Sequence, residues 1–221
     1  MLFTQRVGRV CRFIANELRF RSLHRKYKQY TMIPVRSYAG NLHLAAKVKG
    51  VEGIIVECGT WRGGMIAGIA DVLGSGRCYY LCDSYQGLPP AKEVDGARAK
   101  AYQADTTSPE YFNNCTASEE EARAAMSMSA AKDYQIFKGW FEDTLPKLPP
   151  HPIALLRMDA DWYESTKCIL DNLADRVVHG GMIIIDDYYG WEGCTAAVNE
   201  FAARKKWPLR ESHHQVCYVL V

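Results

Sequence analysis

LLRMDADWYES, residues 155–165, and MIIIDDYY, residues 182–189, share one grammar. Each is a short apolar run that reads as a fully buried strand and stops at carboxylates, Asp159 and Asp161 in the first, Asp186 and Asp187 in the second. Neither stop has an evident basic partner among its neighbours. In an open parallel sheet ligands sit outside the carboxyl ends of the strands, so two such strands side by side bring three or four carboxylates to one edge. Like charges about 4 Å apart repel by roughly 4 kcal/mol at an effective dielectric near 20, so the cluster must take up protons or bind a cation. An all-oxygen set of Asp159, Asp186 and Asp187 suits a hard divalent ion, magnesium above all. Asp161 has an alternative use as the cap of the helix expected from Glu164.

The rest of the chain places this edge in an α/β fold. GIIVECG at 53–59 reads as a buried strand ending in Glu57, followed by the turn TWRGG at 60–64 and a helix over 65–73. A second strand, 78–82, stops at Asp83, some twenty-five residues after the glycine turn, where a nucleotide fold places the acid that bonds ribose hydroxyls. Residues 84–117 are polar and turn-rich, long enough for a lid or substrate loop. Ser118 with Glu121 is a capping box opening a helix to about residue 131. A third strand over 134–138 ends at Gly139-Trp140-Phe141, and a short helix over 143–148 leads to the fourth strand, 153–158. A helix over 164–177, a turn at Gly180-Gly181, the fifth strand over 182–185, a helix over 193–205 and an antiparallel pair, 209–212 with 216–220, complete the order. Strands alternating with helices predict a doubly wound sheet with helices on both faces.

Composition bounds the rest. A hydrophobic content of 48% over 221 residues fits one domain with short additions. Residues 1–30 hold eight Lys and Arg against Glu17 alone, a local +7 within a chain of +2, so the remainder carries −5 and nucleic acid is not expected as a partner. Phe3, Val7, Val10, Ile14 and Leu18 recur at helical spacing in this basic segment. It is expected to pack on the domain or on a second subunit, with contact to an anionic membrane the less favoured use. Eight cysteines lack metal or disulfide-framework spacing and suit buried thiols in a reducing compartment. No run of about 18 apolar residues occurs, and a cytoplasmic protein is expected.

A glycine turn with a ribose acid, a metal edge beyond it and no Gly-Lys-Ser/Thr phosphate loop together suggest adenosine held without its phosphates, as in S-adenosylmethionine. Rival readings of the Asp159-x-Asp161 pair are an aspartyl-nucleophile phosphatase, which should carry its aspartate on an early strand, and a metal-dependent nucleotide-sugar glycosyltransferase. A non-catalytic binder with the same fold is a third.

ECGTWRGG (57–64), CDSYQGLP (82–89), KGWFEDTLP (138–146), RMDADWYEST (157–166) and GGMIIIDDYYGWEGCTAAVNEF (180–201) resemble, in order and spacing, the macrocin O-methyltransferase (TylF) family. The resemblance implies a Rossmann-like class I methyltransferase with a mostly parallel seven-stranded sheet and an antiparallel C-terminal strand. It covers roughly residues 30–210. The expected division is a basic extension, 1–29, and an S-adenosylmethionine-dependent methyltransferase domain, 30–221, in which YTMIP (30–34) folds over the site.

By the same resemblance Glu57, Gly59, Thr60, Trp61 and Gly63 would lie against the methionine part of the cofactor. Asp83 and Ser84 would meet the ribose, Gly139, Trp140 and Phe141 would border the adenine, and Asp159 would also face the cofactor. Asp159, Asp186 and Asp187 match the magnesium ligands. Asp159 is the first candidate for the proton acceptor, Asp161 the second, and His213 or His214 a further one. The implied reaction is O-methylation of a small hydroxylated acceptor, a sugar or glycosylated natural product, or alternatively a phenol or catechol, by a homodimer. Trp162, Trp191 and Tyr189 could line the acceptor slot, while Tyr163 and Tyr188 are read as packing. The segment HHQVCY at 213–218 departs from the family pattern.

Overall fold

In a computed structural model, residues 2–109 and 111–221 are described, with side chains from residue 13 onward. Seven strands form one sheet in the order β3-β2-β1-β4-β5-β7-β6. They are β1 (Ile54–Cys58), β2 (Cys78–Asp83), β3 (Asp133–Lys138), β4 (Ile153–Met158), β5 (Val177–Ile185), β6 (Arg210–Glu211) and β7 (Cys217–Leu220). The first five are parallel, and β7 pairs antiparallel with β5 and β6. The sequence reading of a mostly parallel sheet closed by an antiparallel pair therefore holds.

Period-2 alternation splits the strand side chains between two cores. Ile55, Tyr79, Leu81, Leu155, Met182 and Ile184 face α1 (Leu2–Lys26), α2 (Val35–Ala45), α3 (Gly64–Leu73) and, beyond the lid helix α4 (Gly96–Ala104), α5 (Glu119–Ser127). Val56, Tyr80, Leu156, Met158, Ile183 and Ile185 face α6 (Phe141–Thr144), α7 (Tyr163–Leu173) and α8 (Glu192–Lys205). Strands covered on both faces carry near-continuous apolar runs, which is why β1 and β4 are buried at every position.

Three local expectations need correction. Gly180 and Gly181 do not turn the chain. They sit inside β5 as a bulge, where β4 residues Ile153 and Leu155 pair with β5 residues Val177 and Met182. The apolar stripe expected on the N-terminal helix is not its packed face. Ile14 and Leu18 are 53% and 64% exposed, whereas Phe20 and Tyr27 are buried; the side chains of Phe3, Val7 and Val10 lie outside the described residues. α1 docks on α2 and on Asp71 of α3, which accepts from Lys26 Nζ at 2.7 Å and Tyr27 Oη at 2.8 Å. Asp161, finally, does not cap α7.

The cap comes instead from the lid. Asp95, 1% exposed, accepts from the Tyr163 backbone N–H at 2.7 Å through Oδ1 and from the Lys92 N–H at 2.7 Å through Oδ2. One carboxylate thus closes the lid turn and satisfies an orphan donor of α7. Gly193 of α8 permits this approach, because a Cβ there would lie 2.2 Å from Asp95 Oδ1. Asp95→Ala is expected to cost about 1 to 2 kcal/mol in urea unfolding, and Asp95→Asn distinctly less, since an amide oxygen still caps.

Candidate active site

The site lies where the strand order reverses, between β1 and β4. Backbone bonds continue one residue past the strands along this edge: Gly139 N donates to Asp83 O, Gly59 N to Cys82 O, Asp159 N to Cys58 O, and Asp186 N to Met158 O, at 2.9 to 3.0 Å. Five strand ends are thereby held at one level, and the groups at and beyond them share a cavity of about 990 Å³.

The glycine turn fits against the carboxylate edge. Gly59 has φ +81°, and a Cβ on it would come 1.6 Å from the Asp159 carbonyl oxygen, so only glycine lets β1 and β4 end this close together. Asp83 accepts from the Trp61 N–H at 2.8 Å and the Tyr85 N–H at 2.7 Å. It braces the turn at 60–61, and burial raises its pKa against those bonds. Glu57, Gly59, Thr60, Trp61, Asp83, Ser84, Gly139, Trp140, Phe141, Asp159, Asp161, Asp186 and Asp187 all line the cavity, and residues 30–34 form part of its wall. Gly63 lies outside that lining, in the left-handed turn before α3.

The expectation that the acids lack a basic partner is overturned. Arg157, two residues before Asp159 on the same face of β4, is fully buried. It donates to Glu57 Oε1 at 2.8 Å, to Asp159 Oδ2 at 3.0 Å through both terminal nitrogens, and to Asn41 Oδ1 at 2.9 Å through Nε. It also pairs with Asp186 Oδ1 at 2.9 Å, which accepts from Asn41 Nδ2 as well. The signal was present in the motif itself, since alternation puts residues 157 and 159 on one face.

One guanidinium does not neutralise five carboxylates. Desolvation by burial, reinforced by neighbouring acids, pushes Asp161 up to about 8 and Asp187 well above the ordinary carboxylate range. Burial raises Glu57 to about 8 and Asp159 to about 6, with the Arg157 charge opposing both shifts. Asp159 and Asp187 each bring a carboxylate oxygen within 4.8 Å of the other. Asp187 Oδ2 also accepts from the Ala160 and Asp161 N–H groups at 2.9 and 3.0 Å. The structure draws Asp159, Asp161 and Asp187 together, with one oxygen of each within 4.8 Å of the others, while Asp186 turns toward Arg157 and Asn41. Asp161 sits at φ +56° and lines the cavity with Trp191, a strained backbone position at the site.

Two residues that the sequence offered for proton transfer lie elsewhere: neither His213 nor His214 lines the cavity. Of the aromatics offered for the acceptor slot, Trp162 and Trp191 line the cavity and Tyr189 does not, and Tyr102 and Phe112, which sequence reasoning had not singled out, join them. Tyr163 bonds Glu200 and Tyr188 bonds Asn199, both away from it.

The comparisons agree with this geometry. A profile of the macrocin-O-methyltransferase (TylF) family matches residues 9–216, further at both ends than the five motifs. A demethyldecarbamoylnovobiocin O-methyltransferase of Streptomyces niveus is 36% identical over 185 residues, 79% of this chain and 68% of that protein. An 8-demethyl-8-(2,3-dimethoxy-alpha-L-rhamnosyl)-tetracenomycin-C 4'-O-methyltransferase of Streptomyces olivaceus is 37% identical over 161 residues, 70% of this chain and 60% of that protein. The structure of the O-methyltransferase NovP superposes with a TM-score of 0.71 at 32% identity, covering 86% of this chain and 81% of that one. Joined to the seven-stranded sheet and the carboxylate edge, the match over 9–216 places the chain in the macrocin-O-methyltransferase (TylF) family, as one of its O-methyltransferases.

Proposed function

We propose that the chain methylates a hydroxyl on the sugar of a glycosylated natural product, with S-adenosylmethionine as donor and magnesium as cofactor. The observation that carries this reading is the single cavity in which the Gly59 turn abuts an over-charged carboxylate cluster. The tetracenomycin relative is named for a rhamnosyl acceptor, which supports a sugar hydroxyl here.

The residues fit both groups. Glu57 Oε2 is buried without a hydrogen-bond partner in the cavity wall, an orphaned acceptor suited to the ammonium of a methionine moiety. Asp83, braced by backbone donors on both oxygens, keeps lone pairs for ribose hydroxyls, and Trp140 and Phe141 offer flat apolar surface to a base. The donor set beside them is oxygen only, and its raised pKa values register uncompensated charge that a hard cation would relieve.

Asp159 and Asp187 are the proposed magnesium ligands, two carboxylates being usual for an ion that keeps waters and substrate oxygens. Asp186, expected from the sequence as a third, is assigned to anchoring Arg157. When bound, the ion would lower the pKa of an acceptor hydroxyl and fix it toward the methyl donor. Asp161 is the proposed proton acceptor. Asp159, the first candidate, gives Oδ2 to Arg157 and keeps Oδ1 for the ion, whereas Asp161 lines the cavity with no cationic partner, and a base near neutral pKa is efficient. Tyr102, Phe112 and Trp191 then form the acceptor mouth, with Arg98 stacked 4.8 Å over Trp191.

Asp187→Asn is expected to lose magnesium binding and turnover together. Asp161→Asn should lower kcat by about 10²- to 10⁴-fold with magnesium affinity retained within a few fold; equal losses of both would make Asp161 a ligand. Asp83→Ala should weaken S-adenosylmethionine binding in calorimetry by about 1.5 to 3 kcal/mol, the scale of a hydrogen bond lost from a charged group.

The raised carboxylates also set a pH dependence. Asp159, Asp161 and Glu57 bind protons more tightly folded than unfolded, so without a cation their contribution to stability is greatest below about pH 4 and is lost as pH rises to about 8. Magnesium must displace those protons, so the rise in Tm that it causes should grow across the same window. Scanning calorimetry with chelator and with magnesium checks this, and a shift independent of pH would remove these aspartates as ligands.

A further inference from the structure

A second group of ligating side chains lies outside the cavity. Glu17 on α1, His43 on α2 and His214 in the β6–β7 turn each present one ligating atom, all within 4.8 Å of one another. His43 Nε2 and His214 Nε2 are each 3.1 Å from the same atom, Glu17 Oε2. The other oxygen, Oε1, accepts from Arg21 Nε at 2.8 Å, which turns Oε2 toward the imidazoles. The three side chains are 17%, 16% and 8% exposed.

The surroundings hold these groups in place. Phe13 stacks on the His43 ring with centroids 4.8 Å apart, and Phe20 meets the same ring edge-on at 4.7 Å. Gly40 lets the C-terminal turn approach α2, because a Cβ there would lie 2.6 Å from His214 Cβ. The ligating residues are contributed by the first helix, the second helix and the last turn, 197 positions apart at the extremes.

We propose that Glu17, His43 and His214 bind a zinc-class transition-metal ion. Two imidazole nitrogens and one carboxylate oxygen are a donor set used by zinc, with water in the fourth position, and imidazole selects against magnesium. Metal–ligand distances of about 2.0 to 2.1 Å in a tetrahedron require ligand atoms about 3.3 to 3.4 Å apart. Both Glu17–imidazole separations are within a few tenths of an ångström of that before any ion is added.

The consequence is structural. The ion clips α1 to the C-terminal hairpin across α2, and α1 runs through a 3-10 turn at Lys28–Tyr30 directly into residues 30–34 of the cavity wall. A fastened α1 fixes that wall. The proposal is independent of the magnesium reading, since the two sites share no residue.

The test uses the full chain, stripped with chelator, in millimolar magnesium to fill the aspartate cluster. Zinc alone is titrated by calorimetry, and cobalt serves as the spectroscopic probe. The expected result is one equivalent of zinc bound, the visible bands of four-coordinate cobalt without sulfur-to-metal absorption, and a Tm raised by roughly 5 to 10 °C at a hundredfold excess over Kd. Glu17→Gln, His43→Gln and His214→Gln should each lose the cobalt spectrum and the Tm rise, while Asp187→Asn keeps both. Zinc binding that survives in the Glu17, His43 and His214 variants alike, or fails in the parent chain, overturns the site. Glu17→Gln preserves the shape of the side chain, so loss of metal there is separable from loss of fold by the metal-free Tm.

Discussion

Arg157 is the charge on which the catalytic end of the sheet depends. Its guanidinium is removed from water among Glu57 of β1, Asp159 and Asp186 at the ends of β4 and β5, and Asn41 of α2. Desolvating such an ion costs several kcal/mol, and only the full set of partners offsets it. The geometry is consequently rigid: three strand ends and one helix must keep their positions for the arginine to remain satisfied. Its neighbours raise its own pKa, so it stays charged at any working pH.

A single guanidinium leaves the edge over-supplied with carboxylates, and that surplus separates the acids into two groups. Glu57 Oε1 and Asp186 Oδ1 belong to the arginine. Asp161 and Asp187 make no ion pair with it, and burial with the neighbouring acids raises their pKa, while Asp159 stands between the two groups, paired with Arg157 and within 4.8 Å of the other two carboxylates. Protonation is one solution to like-charge crowding and a cation the other. The raised pKa values register that surplus of charge, and the arginine limits how far the cluster can rearrange.

The legible parts of this sequence were those where one physical signal dominates. Apolar runs covered on both faces named β1, β4 and the core of β5, and their abrupt polar ends located the cavity before any coordinates did. Ser118 and Glu121 form the capping box that their spacing announced. What escaped were interactions decided by tertiary approach. Asp95 looks like one more polar residue in a turn-rich loop, and nothing local says that it caps a helix 68 residues away. Gly180-Gly181 carries the composition of a turn, but pairing with β4 on either side of it and backbone bonds to Val221 hold it in β5 as a bulge. The docking of α1 on the domain escaped because it runs through Glu17 and Phe20, with Tyr27 just beyond the helix, and so mixes charged and apolar contacts that hydrophobic spacing alone does not register.

The division of labour between core and periphery follows from these constraints. Residues at the strand ends are fixed by ladder bonds and by Arg157, so the carboxylate side of the cavity has little freedom to vary without loss of the fold. The opposite wall is built from the lid, with Tyr102 and Phe112, and from Trp191 at the mouth of α8. These depend on a few tethers: Asp95 to α7, Gln103 to the Pro89 carbonyl and Asn114, and the Trp162 indole to the same Pro89 carbonyl. A wall held by side-chain hydrogen bonds rather than by a backbone ladder can change its aromatic lining at a cost of one or two such bonds, each worth about 1 kcal/mol. Selectivity among acceptors is thus placed on the segments that the sheet does not constrain, and the chemistry on those that it does.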